Sequence, residues 1–162
     1  MNENSGLAAL WAWIGDSELA FQIGATWWFP LLESIHVLAI VTLVGVIILA
    51  DLRILNRTAR AYPVTTFVPE LTRWAWWMLP IALLTGLALF ISRPAGYAEN
   101  PAFQIKLVLL LLAGLNVGLL YRRWRPSMGP AAVTQRTRLA AGLSLVLWIG
   151  IIFAGRWIGH IS

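Results

Sequence analysis

Four long runs of apolar residues, separated by shorter polar segments, dominate the chain. They cover about residues 28–54, 74–91, 103–121 and 139–157. A helix needs ~20 mostly apolar residues to cross the hydrocarbon core of a bilayer, and each run is close to that length. Lipid offers the backbone no hydrogen-bond partners, and the ~10-residue alternating segments typical of a membrane barrel are not seen. The pattern therefore predicts four transmembrane helices.

The connections between these spans are short, so consecutive spans are expected to run in opposite directions. The predicted fold class is all-α, an integral membrane four-helix bundle with up-down-up-down topology, formed by one domain over residues 1–162. Pro80 lies inside the second span. It is expected either to kink this helix or to lie where a neighbouring helix covers the carbonyl that proline leaves unpaired.

The segment of residues 6–22 is apolar but too interrupted by polar residues to cross a bilayer. It carries Trp11, Trp13 and Phe21 beside two acidic residues, a mixture typical of an interfacial helix on the outer membrane surface. Capping of the bundle and contact with a partner are the alternatives. The residues before it include Glu3 and no basic region, so a cleavable signal peptide is not predicted.

Composition supports the membrane class and excludes several kinds of chemistry. Hydrophobic residues make up 59% of the chain and charged residues 12%, against roughly 25% charged in soluble domains. The absence of cysteine excludes disulfides, thiolate metal sites and covalent haem attachment. No HExxH motif, nucleophile elbow or Walker loop occurs, so no catalytic residue is predicted and a stand-alone enzyme is not favoured.

The basic residues indicate an orientation. Most of them lie in or beside the first and third connections: Arg53, Arg57, Arg60, Arg73, Arg122, Arg123, Arg125, Arg136 and Arg138. The positive-inside rule makes these connections cytoplasmic and both termini periplasmic, in a bacterial inner membrane. The net charge of +5 then reflects topology and contact with anionic lipid. The bases flank helices in two separate connections, so no nucleic-acid partner is predicted.

Five ionisable residues are predicted to lie at a similar depth near the outer side of the bundle. Ionisable residues inside a membrane are candidates for function by default. Two of the five are one helical turn apart at the start of the first span, one opens the third span, and two close the fourth: Glu33, His36, Lys106, Arg156 and His160. Together they form the candidate cofactor site.

Each of these residues also has a structural interpretation. Lys106 and Arg156 are long enough to extend to the interface. Glu33 is placed to cap the first turn or to pair with Lys106. His160 is close to the C-terminus, where solvation explains it, and His36 has the alternative role of a hydrogen bond between helices.

Other polar and small residues in the spans have structural expectations. Asp51 and Arg53, at the cytoplasmic boundary, are expected to pair with neighbouring charges, and Asn116 to form an interhelical hydrogen bond. Small residues predict close approach of helices, or room for a flat cofactor beside the histidine. They are Gly45, Ala82, Gly86 and the GxxxG pairs Gly114/Gly118 and Gly155/Gly159.

The order of several motifs resembles a family of small bacterial four-helix membrane proteins of unknown function, DUF6644. The motifs are FPLLESIHVLAI, DLRIL, TGLALF, NPAFQIKLVLL, AGLN and AGRWI, within residues 29–158. The resemblance implies the four-helix fold and a shared residue set: Glu33, His36, Asp51, Arg53, Lys106, Asn116 and Arg156. It implies no activity, and His160 lies outside the part that matches.

Two classes of function remain open on these residues. The first is electron transfer through haem b, with His36 as an axial ligand and Lys106 and Arg156 near the propionates. His160 is the candidate second ligand; otherwise the iron is five-coordinate or uses another residue. Glu33 is the candidate acceptor for the second ring nitrogen of His36. Electrons would pass between quinol or a periplasmic redox partner and a larger complex.

The second class is a non-redox membrane module: a small transporter, an anchor or a structural subunit. Its polar cluster would fix the packing of the helices, within a homo-oligomer or a larger membrane complex. A copper or zinc site is not favoured, because His36 and Glu33 alone would make an incomplete ligand set.

Overall fold

A computed structural model describes the backbone of residues 3–123 and 133–160, and within these ranges it contains helices and no strands. The described ranges hold seven α-helices followed by one 3₁₀ turn: α1 Glu3–Gly15, α2 Glu18–Ala25, α3 Trp28–Ile54, α4 Val64–Ser92, α5 Pro94–Glu99, α6 Pro101–Arg123, α7 Gln135–Trp157 and the turn Ile158–His160. Four of them, α3, α4, α6 and α7, are long and apolar enough to cross a membrane. The all-α prediction is confirmed.

Contacts between helices show the direction of each one. His36 of α3 lies beside Thr85 of α4, and Ile54 packs in one cluster with Val68, so α3 and α4 are antiparallel. The pair α6 and α7 is antiparallel as well, since Asn116 bonds Ala140 and Lys106 approaches Gly155.

The bundle therefore has two distinct ends. We call the end where α3 and α6 begin and α4 and α7 finish the histidine end. The opposite end, where α3 and α6 finish and α4 and α7 begin, is the arginine end. Contacts between α3 and α7 join the two helix pairs.

A small apolar core lies at the centre of the bundle. All four spans contribute to it, and its buried members are Leu43, Val44, Ala113, Leu147, Trp148 and Ile151. Large apolar side chains also point outward, such as Leu38, Leu84 and Val146, which are 69%, 69% and 67% exposed. An apolar exterior on all spans fits contact with lipid hydrocarbon, because water would disfavour it. The chain is a multi-pass membrane protein.

The N-terminal segment differs from the single helix predicted over residues 6–22. It forms two helices, because the Ser17 side chain accepts a hydrogen bond from the Ala20 N–H at 3.2 Å and starts α2 as an N-cap. Ala20 and Ile23 of α2 are buried, and α2 packs on α3 and α4. The segment caps the histidine end of the bundle.

The second span is longer than predicted. Helix α4 begins at Val64 rather than near residue 74, and it includes both Pro69 and Pro80. Its first turns carry Glu70 and Arg73. These charges lower the local hydropathy, so a prediction based on hydropathy missed the start of the helix. Arg53 holds the preceding connection, because its Nε and Nη2 donate to the Tyr62 carbonyl at 3.0 and 2.7 Å.

The entry to α6 is fixed by a buried asparagine. The Asn100 Oδ1 accepts from the Ala102 N–H at 2.9 Å and the Phe103 N–H at 3.3 Å, which caps the helix. Its Nδ2 donates to the Ile158 carbonyl at 3.1 Å. One side chain thus joins the start of α6 to the end of α7 at the histidine end.

Candidate functional site

The imidazole of His36 is half-buried and lies directly against the backbone of α4. A Cβ atom at position 86 would lie 2.8 Å from the ring Cε1 and 3.4 Å from Nδ1. Real Cβ atoms do not approach this closely, so only glycine leaves space for the ring. Gly86 therefore makes room for the histidine ring itself, whereas the sequence predicted close approach of helices or room for a flat cofactor.

A threonine of α4 fixes the orientation and tautomer of the ring. His36 Nδ1 is 2.9 Å from Thr85 Oγ1, and the Thr85 hydroxyl donates its single proton to the Ile81 carbonyl at 2.7 Å. While that proton is on Ile81, Nδ1 is the donor to Thr85, and the Ala82 carbonyl is a further hydrogen-bond partner of the ring. In the neutral imidazole this leaves Nε2 unprotonated, with its lone pair available.

Thr85, and not Glu33, is the residue that bonds the second nitrogen of His36. The expectation for Glu33 rested on its position one turn away on α3, but its side chain is exposed. The sequence did indicate a hydrogen bond at Thr85, since a hydroxyl group inside a transmembrane span needs a partner. It did not indicate which residue the hydroxyl would bond.

Lys106 enters the same region from α6. Its Nζ and Cε would each lie 3.8 Å from a Cβ at position 155, so the lysine stem packs beside Gly155 at ordinary contact distance. The ammonium is close enough to act electrostatically on His36. Within the described residues Lys106 has no acidic partner, and the predicted pair with Glu33 does not form. The site thus holds an unpaired cation beside an imidazole with a free lone pair.

Glu33 belongs to a separate group at the surface of the histidine end. Its charge and that of Arg93 both act on the phenol of Tyr97 in α5. Burial raises the pKa of Tyr97, Arg93 opposes this effect, and Glu33 adds to it. The Tyr97 phenol therefore stays neutral at physiological pH.

The structure places Arg156 and His160 at the end of α7 and in the following turn, both exposed. The backbone changes from α-helix to 3₁₀ at Ile158, so Arg156 and His160 are not separated by one α-helical turn. No described hydrogen bond connects either of them to His36 or Lys106. Their roles at a cofactor stay predictions.

At the arginine end, the expected ion pairs of Asp51 and Arg53 do not form among the described residues. Asp51 is hydrogen-bonded by the Ser144 hydroxyl of α7, and Arg53 bonds the Tyr62 carbonyl and Asn56. The interhelical bond predicted for Asn116 is confirmed, since its Nδ2 donates to the Ala140 carbonyl at 3.0 Å.

Glycines follow two patterns. A Cβ would meet nothing within 4 Å at Gly45, Gly114, Gly118 and Gly159, so close packing at these positions was a wrong prediction. They lie on the outward faces of the helices. The spacing of glycines in the sequence does not by itself show which way each one faces. Gly86, Gly150 and Gly155 instead face the side chains of His36, Leu109 and Lys106.

Thr85→Val tests the hydrogen bond to the ring. Valine keeps the shape but leaves the His36 Nδ1–H without its hydroxyl acceptor, so we expect a loss of about 1–2 kcal/mol in the free energy of unfolding. Thr42→Val is the matched control, because the Thr42 hydroxyl bonds only the Leu38 carbonyl of its own helix. Thermal or denaturant unfolding in detergent measures both. Equal effects would contradict the assigned bond.

Fold and site together define a multi-pass α-helical membrane protein with a histidine and a lysine between its helices. A family model matches residues 10–161, and it describes a family of unknown function, DUF6644. The match includes His160, which the motifs had left outside. The chain belongs to this family, as its motifs predicted. No curated protein and no solved structure matches the chain significantly.

Proposed function

We propose that the histidine end binds haem b and that the protein transfers electrons in the membrane, with His36 as an axial ligand. The observation that supports this most is the state of the ring. Histidines that bind metals donate their other N–H to a fixed acceptor, which sets the tautomer and the ring orientation. Thr85 accepts from Nδ1 in this way, and Nε2 keeps the lone pair that a metal needs.

The remaining residues fit the anionic part of this cofactor. A haem carries propionates that require cations nearby, and Lys106 supplies a cation without an acidic partner among the described residues. Arg156 is a candidate for the second propionate at the same end. His160 stays a candidate second ligand, and a single protein ligand is the alternative.

Bound haem b would supply a one-electron redox couple, and the chain would provide its setting. The apolar spans give a low dielectric, Thr85 holds the imidazole, and Lys106 balances negative charge. With the histidine end on the periplasmic side, the electron donor would be quinol or a periplasmic redox partner. The acceptor would be a larger complex in the bacterial inner membrane.

The visible spectrum of the detergent-purified protein tests the proposal. After expression with ample haem, we expect a Soret band that shifts on reduction with dithionite and a stoichiometric pyridine haemochrome. A colourless protein from such cells, refractory to reconstitution with hemin, would reject haem. The His36–Thr85 bond would then favour the second candidate, a non-redox membrane module in which this bond joins α3 to α4.

The orientation is testable separately. Cysteine is absent from the chain, so single cysteines can be introduced at Glu99, near the histidine end, and at Thr66, near the arginine end. Both positions are exposed. We expect a membrane-impermeant maleimide added to intact spheroplasts to label the first and spare the second until lysis. Labelling in the opposite order would reverse the orientation and place the His36 site on the cytoplasmic side.

A further inference from the structure

Two buried polar atoms inside the bundle lack a hydrogen-bond partner within the described residues. They are Asp51 Oδ2 on α3 and Trp148 Nε1 on α7. Both residues are more than nine-tenths buried, with 4% and 6% of their surfaces exposed. Buried polar groups are almost always paired, with protein or with ordered water, so two unpaired atoms in one small core require an explanation.

Ser144 relates the two residues to each other. The Ser144 hydroxyl bonds the Asp51 carboxyl, and Trp148 follows Ser144 by four residues, so it lies on the same face of α7, ~6 Å along the axis. Their requirements are also complementary, because a carboxylate oxygen accepts hydrogen bonds while an indole N–H only donates. They do not bond each other directly.

We propose that Asp51 and Trp148 together bind one internal water molecule between α3 and α7, and that Asp51 accepts a proton through this water. The water would accept from Trp148 Nε1–H and donate to Asp51 Oδ2, which pairs both atoms at once. Internal waters require two to four polar partners, and Ser144 is placed to supply a third. The ligands of this site are a water molecule and a proton, and the proposal does not depend on haem binding.

Among the described residues, no cation is placed to neutralise the Asp51 carboxylate, which leaves a proton for that role. Arg53 is two residues away, but its guanidinium is bonded to the Tyr62 carbonyl and Asn56. Helix α7 presents Ser144 and Trp148, which do not titrate, and α4 contributes Val68 and Ala75 to the clusters nearby. The other charged side chains described on α4 and α7 toward the arginine end are exposed: Glu70, Arg73, Arg136 and Arg138.

The transfer itself is a simple exchange. A hydronium ion at the water position gives its proton to the Asp51 carboxylate, and the products are neutral water and a carboxylic acid. Burial favours this neutral pair, because a charged carboxylate without a cation is costly inside a protein. The reverse step returns the proton from Asp51 to the water.

Infrared spectroscopy of the full chain in lipid tests the site. We expect a C=O stretching band of a buried carboxylic acid that grows from mildly alkaline to mildly acidic pH and shifts in D₂O. Asp51→Asn should remove this band, while Glu33→Gln, which changes an exposed acid on the same helix, should leave it. Identical acid-band spectra for the wild-type protein and Asp51→Asn across that range would overturn the proposal.

Trp148→Phe tests the water, because it removes the N–H and keeps an aromatic ring. If a water joins the two residues, the Asp51 band should move to a frequency typical of fewer hydrogen bonds, and the melting temperature should fall by about 2–4 °C. Trp76→Phe is the control, since Trp76 is 63% exposed. An unmoved band with unchanged or higher stability would mean that Nε1 is truly unpaired, and would overturn the proposal.

Discussion

His36→Ala is expected to abolish the Soret band of the purified protein and to leave the four-helix fold in place. The only described imidazole between the helices is lost, and with it the lone pair of Nε2 and the hydrogen bond to Thr85. Alanine also leaves empty space against Gly86, so we expect a stability loss of about 1–3 kcal/mol that detergent-solubilised helices survive. Absorbance per mole of protein measures the haem content, and circular dichroism measures the helix content.

Matched variants separate ligation from general damage to the site. Lys106→Ala should keep a Soret band, with weaker haem retention or a shifted midpoint potential. Lys106→Arg should have a much smaller effect on both, because the cation is kept. His160→Ala should change a low-spin spectrum to a high-spin one only if His160 is the second ligand. Full haem content in His36→Ala would contradict the proposed ligand, even though the protein bound haem elsewhere.

The sequence predicted the architecture well because the bilayer leaves few choices. Length and apolarity are enough to define a span, and short connections require neighbouring spans to be antiparallel. The start of α4 was missed because Glu70 and Arg73 lie inside its first turns, where hydropathy falls although the helix continues. The break between α1 and α2 was missed because the segment stays apolar there, although Ser17 caps and starts a new helix.

The candidate site was predictable in its residue types but not in its contacts. Periodicity along one helix places Glu33 beside His36, and the partner that the structure gives, Thr85, comes from another helix 49 positions away. Glycine spacing could not distinguish Gly86, which faces the ring, from Gly118, which faces open space. The pairing of Asp51 with Ser144 depends likewise on the contact of α3 with α7, and no local pattern reports such a contact.

Gly86→Ala is expected to destabilise the bundle although alanine is the better helix former. The added Cβ would lie 2.8 Å from His36 Cε1, so the ring must move or α3 and α4 must separate. Overpacking of this kind costs about 1–3 kcal/mol, and loss of the Thr85 hydrogen bond adds about 1 kcal/mol. The gain in helix propensity is about 1 kcal/mol. The clash outweighs it, and the net loss is about 1–3 kcal/mol.

Gly118→Ala is the control that isolates this clash, because a Cβ at position 118 meets nothing within 4 Å. The same chemical change should there be neutral or stabilising by up to about 1 kcal/mol. Unfolding in detergent compares the two variants directly. In the double variant Gly86→Ala/His36→Ala the new methyl group no longer meets the ring, so the cost of Gly86→Ala should largely disappear. If the cost persists without the ring, the glycine is required by the backbones of α3 and α4 themselves, and its assignment to His36 is wrong.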